Sequence, residues 1–504
     1  MSRRIKNVLE YLENSAEKYP HKTAVADEKN AMTYAELKDS AMRIGSFLAK
    51  HTRPQSPVAV LSNKSVSTLC VFLGCAYAGC FYVPLNVQHP KERRDRILNT
   101  LENPLLLVDD SELRLVPENY AGKVIAFSEL SGDFEEAALA KIRAQHIDID
   151  PLYILFTSGS TGEPKGIAVS HRSVIDFIEE FTSLFGIGEN DVIGNQAPFD
   201  FDVSVKDIYS SLKCGATLQI IPKQKFSFPT YLIDYLCERK ITTLIWAVSA
   251  LCILSGYHAF TYKVPETLQK ILFSGEVMPI SHLNEWKSYY PEAMFVNLYG
   301  PTEITCNCTY YILDKGRYER EVLPIGVPFP NERVFLLNEK NEKVSKAGEQ
   351  GEICVSGTAL SLGYYKNEAE TQKAFVRNPL NNAYTEMIYR TGDLGYYDES
   401  GLICFTGRKD FQIKHMGHRI ELSEIEKAIQ DIEDVSRALC IFDQESDKIW
   451  AFYCGKEENP KIASVLRKKL PAYMVPHKCV YLKDFPLTEN GKIDRKKLRK
   501  EYII

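Results

Sequence analysis

Five consecutive apolar or aromatic residues, Leu152-Tyr-Ile-Leu-Phe156, run straight into Thr157-Ser-Gly-Ser-Thr-Gly-Glu-Pro-Lys-Gly166. The first segment has the length and character of a buried strand. The second holds three Gly, two Thr, two Ser and one Lys. Glycines let backbone N–H groups approach an anion closely, hydroxyls add donors, and Lys165 adds a full positive charge. A strand that feeds such a loop suits an α/β fold holding a polyphosphate. The spacing fits neither G-x-x-x-x-G-K-[ST] nor G-x-G-x-x-G, because Gly159 and Gly162 are too close and Gly166 follows the lysine. By composition alone, a flexible Ser/Gly surface turn is the competing reading.

At 504 residues the chain has room for about two to four domains. Hydrophobic residues make up 45% and charged residues 25%, as in an ordinary globular enzyme. A net charge of -5 gives no support for a nucleic-acid partner. The 13 cysteines form no C-x-x-C pair, and no H-E-x-x-H occurs, so neither a zinc site nor a disulfide framework is indicated. Free thiols in a reducing, cytoplasmic setting are the simplest expectation. The N-terminus lacks the apolar core of a signal peptide. Ser65 to Gln88 carries no charge, but Gly74, Gly79 and Pro84 interrupt it. It reads as a buried helix followed by the strand Cys80–Leu85, without membrane insertion.

Apolar strands alternate with amphipathic helices over the first 400 or so residues. Arg172 to Phe185 reads as a helix, and Ala216–Ile221, Ile271–Phe273 and Phe295–Tyr299 as strands. Such alternation argues for α/β layers with largely parallel sheets. Phe156, Phe273 and Tyr299 each lead into a polar turn, which suggests one shared site at the carboxyl ends of strands. After Gly407-Arg-Lys-Asp410 a small α+β unit is expected, with a helix over Leu422–Ile432, strands over Val435–Phe442 and Ile449–Cys454, and a helix over Pro460–Leu470. Two domains follow, 1–409 and 410–504.

Several separated segments together resemble the adenylate-forming superfamily, in particular the amino-acid adenylation domains of nonribosomal peptide synthetases and the stand-alone D-alanine–carrier protein ligases. They are Met32–Leu37, Thr157–Gly166, Phe201–Val205, Asn297–Glu303, Gly351-Glu352 with Leu362–Tyr364, Tyr389–Asp393, Gly407–Asp410 through Glu426, and Asn490–Asp494. They occur in the family's order across nearly the whole chain. The resemblance implies a large, multi-subdomain α/β domain and a small α+β lid that rotates about a hinge at Asp410.

It also implies roles. Thr157, Ser158, Gly159, Ser160, Thr161 and Lys165 match the loop around the ATP phosphates. Glu303 matches a Mg2+ ligand and Thr302 a phosphate contact. Asp393 matches the acceptor of the ribose hydroxyls, with Arg408 beside it. Tyr299 matches a ring on adenine, although at a strand end it also reads as a core aromatic. Asn297 falls near the adenine edge, and Gly275, Glu276 and Gly300 are further ATP-binding positions. Lys492 matches the lysine that bridges the attacking carboxylate and the α-phosphate, although by composition it is a solvated residue of a basic tail. Gly417 and its neighbours match the lid surface facing the thiol channel.

Asp202 matches the carboxylate that pairs with a substrate α-ammonium. An acyl activator would gain nothing from a buried, unpaired Asp there. On a strand, Asp200 would face the same side as Asp202. The side-chain pocket falls on Val203, Lys206, Ala247, Leu272, Ser274, Leu298, Cys306 and Asn307. Asn195–Phe199, Asp207–Tyr209 and Gly275–Val277 resemble the D-alanine subgroup, whereas Ser274 stands where that subgroup usually has Cys. A pocket lysine at 206 needs a partner. That partner is an acidic or amide substrate side chain, a local Asp, or solvent reached by snorkelling. The implied activity is ATP-dependent activation of an amino acid, then transfer to the phosphopantetheine thiol of a separate carrier protein. An acyl-CoA synthetase or a non-catalytic adenylate-binding protein are the alternatives.

Overall fold

The computed structural model describes residues 4–130, 132–159, 163–444, 446–455, 461–487 and 493–503. The chain divides into two compact units. One comprises Met1–Leu85, Asn103–Leu155 and Gly166–Lys409, and the other Asn86–Glu102, Phe156–Lys165 and Asp410–Ile504. The second unit thus takes in two segments that the sequence reading assigned to the large domain.

The larger unit is layered α/β. Its nine-stranded sheet runs, in spatial order, Val327–Pro328, Thr309–Ile312, Met294–Tyr299, Lys270–Ser274, Thr243–Ala247, Val192–Asn195, Thr217–Ile220, Thr23–Ala26 and Ala31–Thr33. The six strands from Met294–Tyr299 to Thr23–Ala26 are parallel, and antiparallel strands close both edges. The interior strands are buried along almost their whole length, as parallel strands covered on both faces must be. A seven-stranded sheet carries Pro151–Thr157 next to Lys165–Ser170 and Phe81–Asn86. An antiparallel six-stranded sheet over residues 332–408 completes the unit.

Local signals place the helices. Thr33 and Glu36 form a reciprocal capping box at the start of Tyr34–His51. Ser65 caps Val66–Tyr77, which is buried at every position but Ser67 and is followed by the strand Phe81–Asn86. Among the described residues no helix is long and apolar enough to cross a membrane. The helix expected over 172–185 spans His171–Leu184.

Phe201–Val205 is not a strand. Asp202 is the residue before the helix Val203–Cys214, which ends on Gly215 at φ +69°. The facing argument for Asp200 therefore falls away. The three polar strand ends also do not share one sheet. Phe273 and Tyr299 lie in the nine-stranded sheet, and Phe156 lies in the seven-stranded one.

In the smaller unit a hairpin pairs Gln412–His415 with His418–Glu421. Its two turn residues, Met416 and Gly417, have φ of +51° and +78°, the signs of a type I′ turn. The helix Leu422–Gln430 packs on the strands Val435–Asp443 and Lys448–Gly455, with Ile425, Ile429, Cys440, Ala451, Leu466 and Met474 in a core of their own. The expected helix over Pro460–Leu470 is described as Ile462–Lys469.

Candidate active site

The parallel strands of the larger sheet end in register. Ala247 pairs with Ser274, and Ser274 with Leu298. This is the carboxyl edge of the sheet, where α/β folds gather ligands. The segment after Tyr299 folds back over it. Thr302–Ile304 makes one 3-10 turn, then Thr305 and Cys306 follow at φ +54° and +75°. Left-handed backbone at a β-branched residue is strained. It is held by the Thr305 hydroxyl on Ala359 O at 2.7 Å, the Cys306 thiol on Asp202 O at 3.2 Å, and Cys308 N on Tyr299 O at 2.8 Å. Gly300 permits the fold-back, because a Cβ there would lie 2.5 Å from Asn307 Cα and 2.8 Å from Cys306 O.

This return brings the amino-acid candidates together. Asp202 is only 7% exposed, and its carboxylate accepts the Thr302 hydroxyl at 2.7 Å. One helical turn on, Lys206 is 1% exposed. Its Nζ donates to Asn307 Oδ1 at 2.8 Å and to Ser274 Oγ at 3.1 Å. Lys206 therefore does not snorkel to solvent. Burial pulls its pKa below the usual lysine range, opposed by Cys306, Asp202 and Asp207. Val203, Ala247, Leu272, Leu298 and Cys306 are all buried. The neighbouring Asp207 is fully buried, accepts Asn195 Nδ2 at 2.7 Å, and has its pKa raised by that burial. The sequence reading had not singled out Asp207 as a site residue. A charged residue inside an apolar helix face was the available signal.

A second cluster surrounds Asp393. The Tyr299 hydroxyl donates to Asp393 Oδ2 at 2.5 Å, Arg408 bonds the other oxygen, and the Thr391 hydroxyl accepts from Asp393 N at 2.9 Å. Asp393 and Arg408 are register partners on adjacent strands, which explains their meeting. Tyr299 thus stands in a buried hydrogen bond as well as at a strand end. Asn297 is buried and donates to Pro324 O at 2.8 Å. Glu303 is 1% exposed and accepts the Tyr364 hydroxyl at 2.7 Å. Tyr364 lies inside a motif quoted for the resemblance, but its bond to Glu303 was not foreseen. Gly275 sits at φ +97°, and Glu276 accepts at 3.1 Å from Ser249 N in the first turn of the helix Val248–Gly256.

In the smaller unit, Ser158 Oγ donates to Arg419 O at 2.7 Å and accepts from Glu421 N at 3.2 Å. Glu424 bonds Arg93 at 2.8 Å in a buried ion pair. Burial raises the Glu424 pKa, against the opposing pull of Arg93. Thr157 and Lys165 are half-buried at the ends of their strands. Ser160, Thr161 and Lys492 lie outside the described residues.

Comparison with known proteins agrees with this architecture. The AMP-binding enzyme family matches residues 12–365, and the AMP-binding enzyme C-terminal domain matches 424–492. The D-alanine--D-alanyl carrier protein ligase of Bacillus licheniformis is 33% identical over 99% of this chain and all of its own length. Tyrocidine synthase 1 of Brevibacillus parabrevis is 32% identical over 98% of this chain, which spans 45% of that protein. The solved structure of PA1221, an NRPS protein containing adenylation and PCP domains, aligns with a TM-score of 0.84. At 24% identity over 99% of this chain and 98% of that one, its likeness concerns the fold alone. By its sequence and its fold, this chain belongs to the AMP-binding enzyme family.

Proposed function

We propose that the chain activates an α-amino acid with ATP and then loads it onto a carrier-protein thiol. In the first step a carboxylate oxygen attacks the α-phosphorus. The bond to the bridging oxygen breaks, and pyrophosphate leaves with its electron pair. In the second step a phosphopantetheine thiolate attacks the acyl carbon, and AMP leaves.

The observation that carries this reading is the buried Asp202 at the head of the helix Val203–Cys214, whose carboxylate accepts the Thr302 hydroxyl and whose carbonyl accepts the Cys306 thiol where the chain returns from Tyr299. A carboxylate in that position is a charge-assisted acceptor for a substrate α-ammonium. Arg408 and Tyr299 hold Asp393 ready to accept ribose hydroxyls. Glu303, oriented by Tyr364, is a hard oxygen donor suited to Mg2+, which keeps water and phosphate oxygens as its other ligands. Mg2+ bound there would neutralise charge on the phosphates.

The loop from Thr157 to Lys165 takes the phosphates in this reading, and Lys492 sits on the charge that develops at the α-phosphate. A separate carrier protein, a hinge at Asp410 between domains 1–409 and 410–504, and a cytoplasmic location belong to the same proposal. The Bacillus velezensis D-alanine--D-alanyl carrier protein ligase, matched at 32% identity over its whole length, supports a carrier partner.

Amino-acid-dependent exchange of labelled pyrophosphate into ATP tests the first step. Exchange is expected with a narrow set of amino acids. Lys492→Ala should lower it by a factor on the order of 1,000 with nucleotide binding retained. ATP binding without exchange for any amino acid would sink the proposal. Exchange followed by acylation of free coenzyme A, with none of pantetheine on a carrier, would favour the acyl-CoA synthetase reading.

A further inference from the structure

From the polar contacts around Lys206 we infer that this site selects an amino acid whose own side chain ends in an oxygen acceptor, a carboxylate or a carboxamide. This rests on the amino-acid reading above and adds a substrate class to it.

Lys206 projects from the first turn of the helix that starts after Asp202, so the two residues share a helix face four positions apart. Its ammonium has three donors. Ser274 and Asn307 take two of them, and no described residue takes the third. Asn307 is 1% exposed and spends its Oδ1 on Lys206. An unmet donor therefore stands on a buried ammonium, beside the ends of strands at Ala247, Ser274 and Leu298. Buried donors without acceptors are costly, and the cost falls when a ligand supplies the acceptor.

The charge balance points the same way. Both hydrogen-bond acceptors of the Lys206 ammonium are neutral. Asp202 meets the substrate α-ammonium in the reading above, and Asp207 is turned to Asn195. A substrate carboxylate would bond the ammonium directly as a counter-ion, and a carboxamide oxygen would provide the acceptor without the charge. An alanine or leucine side chain would provide neither and leave the donor buried and dry. A site built to bond a polar substrate group rejects analogues that lack it far more strongly than an apolar pocket rejects a wrong size.

The test is amino-acid-dependent pyrophosphate exchange with aspartate, glutamate, asparagine, glutamine, alanine and leucine of both hands, on the full chain and on Lys206→Met. Methionine keeps the length and fills the volume, and nucleotide binding by the variant reports that it folds. The full chain should prefer one of the acidic or amide amino acids over alanine and leucine by a factor on the order of 100 in kcat/KM. Lys206→Met should reverse that preference by raising exchange with the apolar amino acids. The acid and amide arms separate the two acceptor chemistries. A wild-type preference for alanine or leucine overturns the inference and leaves amino-acid activation standing. An acidic or amide preference that survives in Lys206→Met also overturns it. Exchange with no amino acid at all overturns both this inference and the function on which it rests.

Discussion

Charges inside this chain are placed where neutral side chains would be cheaper, and each such placement has a measurable consequence. Glu332 is the cleanest case outside the candidate site. Its Oε1 accepts from Ala359 N at 3.0 Å, its Oε2 is buried with no partner among the described residues, and burial raises its pKa from 4.5 to about 8. A carboxyl with a raised folded pKa keeps its proton while the unfolded chain releases one. Stability is then lost as pH climbs from the unfolded value to the folded one. The penalty grows by at most about 1.4 kcal/mol per pH unit over that window. Glu332→Gln should therefore melt close to the wild type at pH 5 and clearly above it at pH 8. A difference in melting temperature that stays constant across that range would contradict the assignment. Lys206 is buried in the same way, and there a substrate can supply a further acceptor.

At the scale of elements, the return of the chain after Tyr299 organises the site. It puts Thr302 on Asp202 and Asn307 on Lys206, and it depends on close approach at Gly300. Gly300→Ala should displace residues 306–307, destabilise the fold by about 1–3 kcal/mol, and lower exchange activity even at saturating nucleotide. A variant with wild-type melting and wild-type exchange would show that the approach is slack.

Much of this element-level picture was legible in the sequence. The strands Met294–Tyr299 and Lys270–Ser274 are short apolar runs ending in polar residues, and the helix His171–Leu184 has clear periodicity. The conditional strand at Phe201–Val205 could not be decided from sequence, because five residues cannot separate period 2 from the first turn of a helix. The helix beginning at Val203 declares itself only farther along, at Ile208 and Leu212. Bonds such as Tyr364 to Glu303 span 61 positions and leave no local trace. The meeting of Asp393 with Arg408 follows from strand register, which a single sequence specifies weakly.

At the scale of the molecule, chemistry gathers at the ends of strands from different sheets and in a smaller unit with its own core. The AMP-binding enzyme family accounts for that layout, and in the proposed function the site residues decide which acid is activated. The fold alone would suit activation of many carboxylic acids. In the proposed function Asp202 narrows it, as the acceptor of a substrate α-ammonium. The account therefore stands on a comparison between each amino acid and the same acid without its amine.

The most direct measurement is pyrophosphate exchange with matched pairs, an amino acid and its deaminated carboxylic acid, in the wild type and in Asp202→Asn. The account predicts exchange with the amino acid, exchange with the deaminated acid lower by a factor on the order of 100 or more, and loss of that discrimination in Asp202→Asn while nucleotide binding persists. Equal exchange for both members of a pair in the wild type would contradict it.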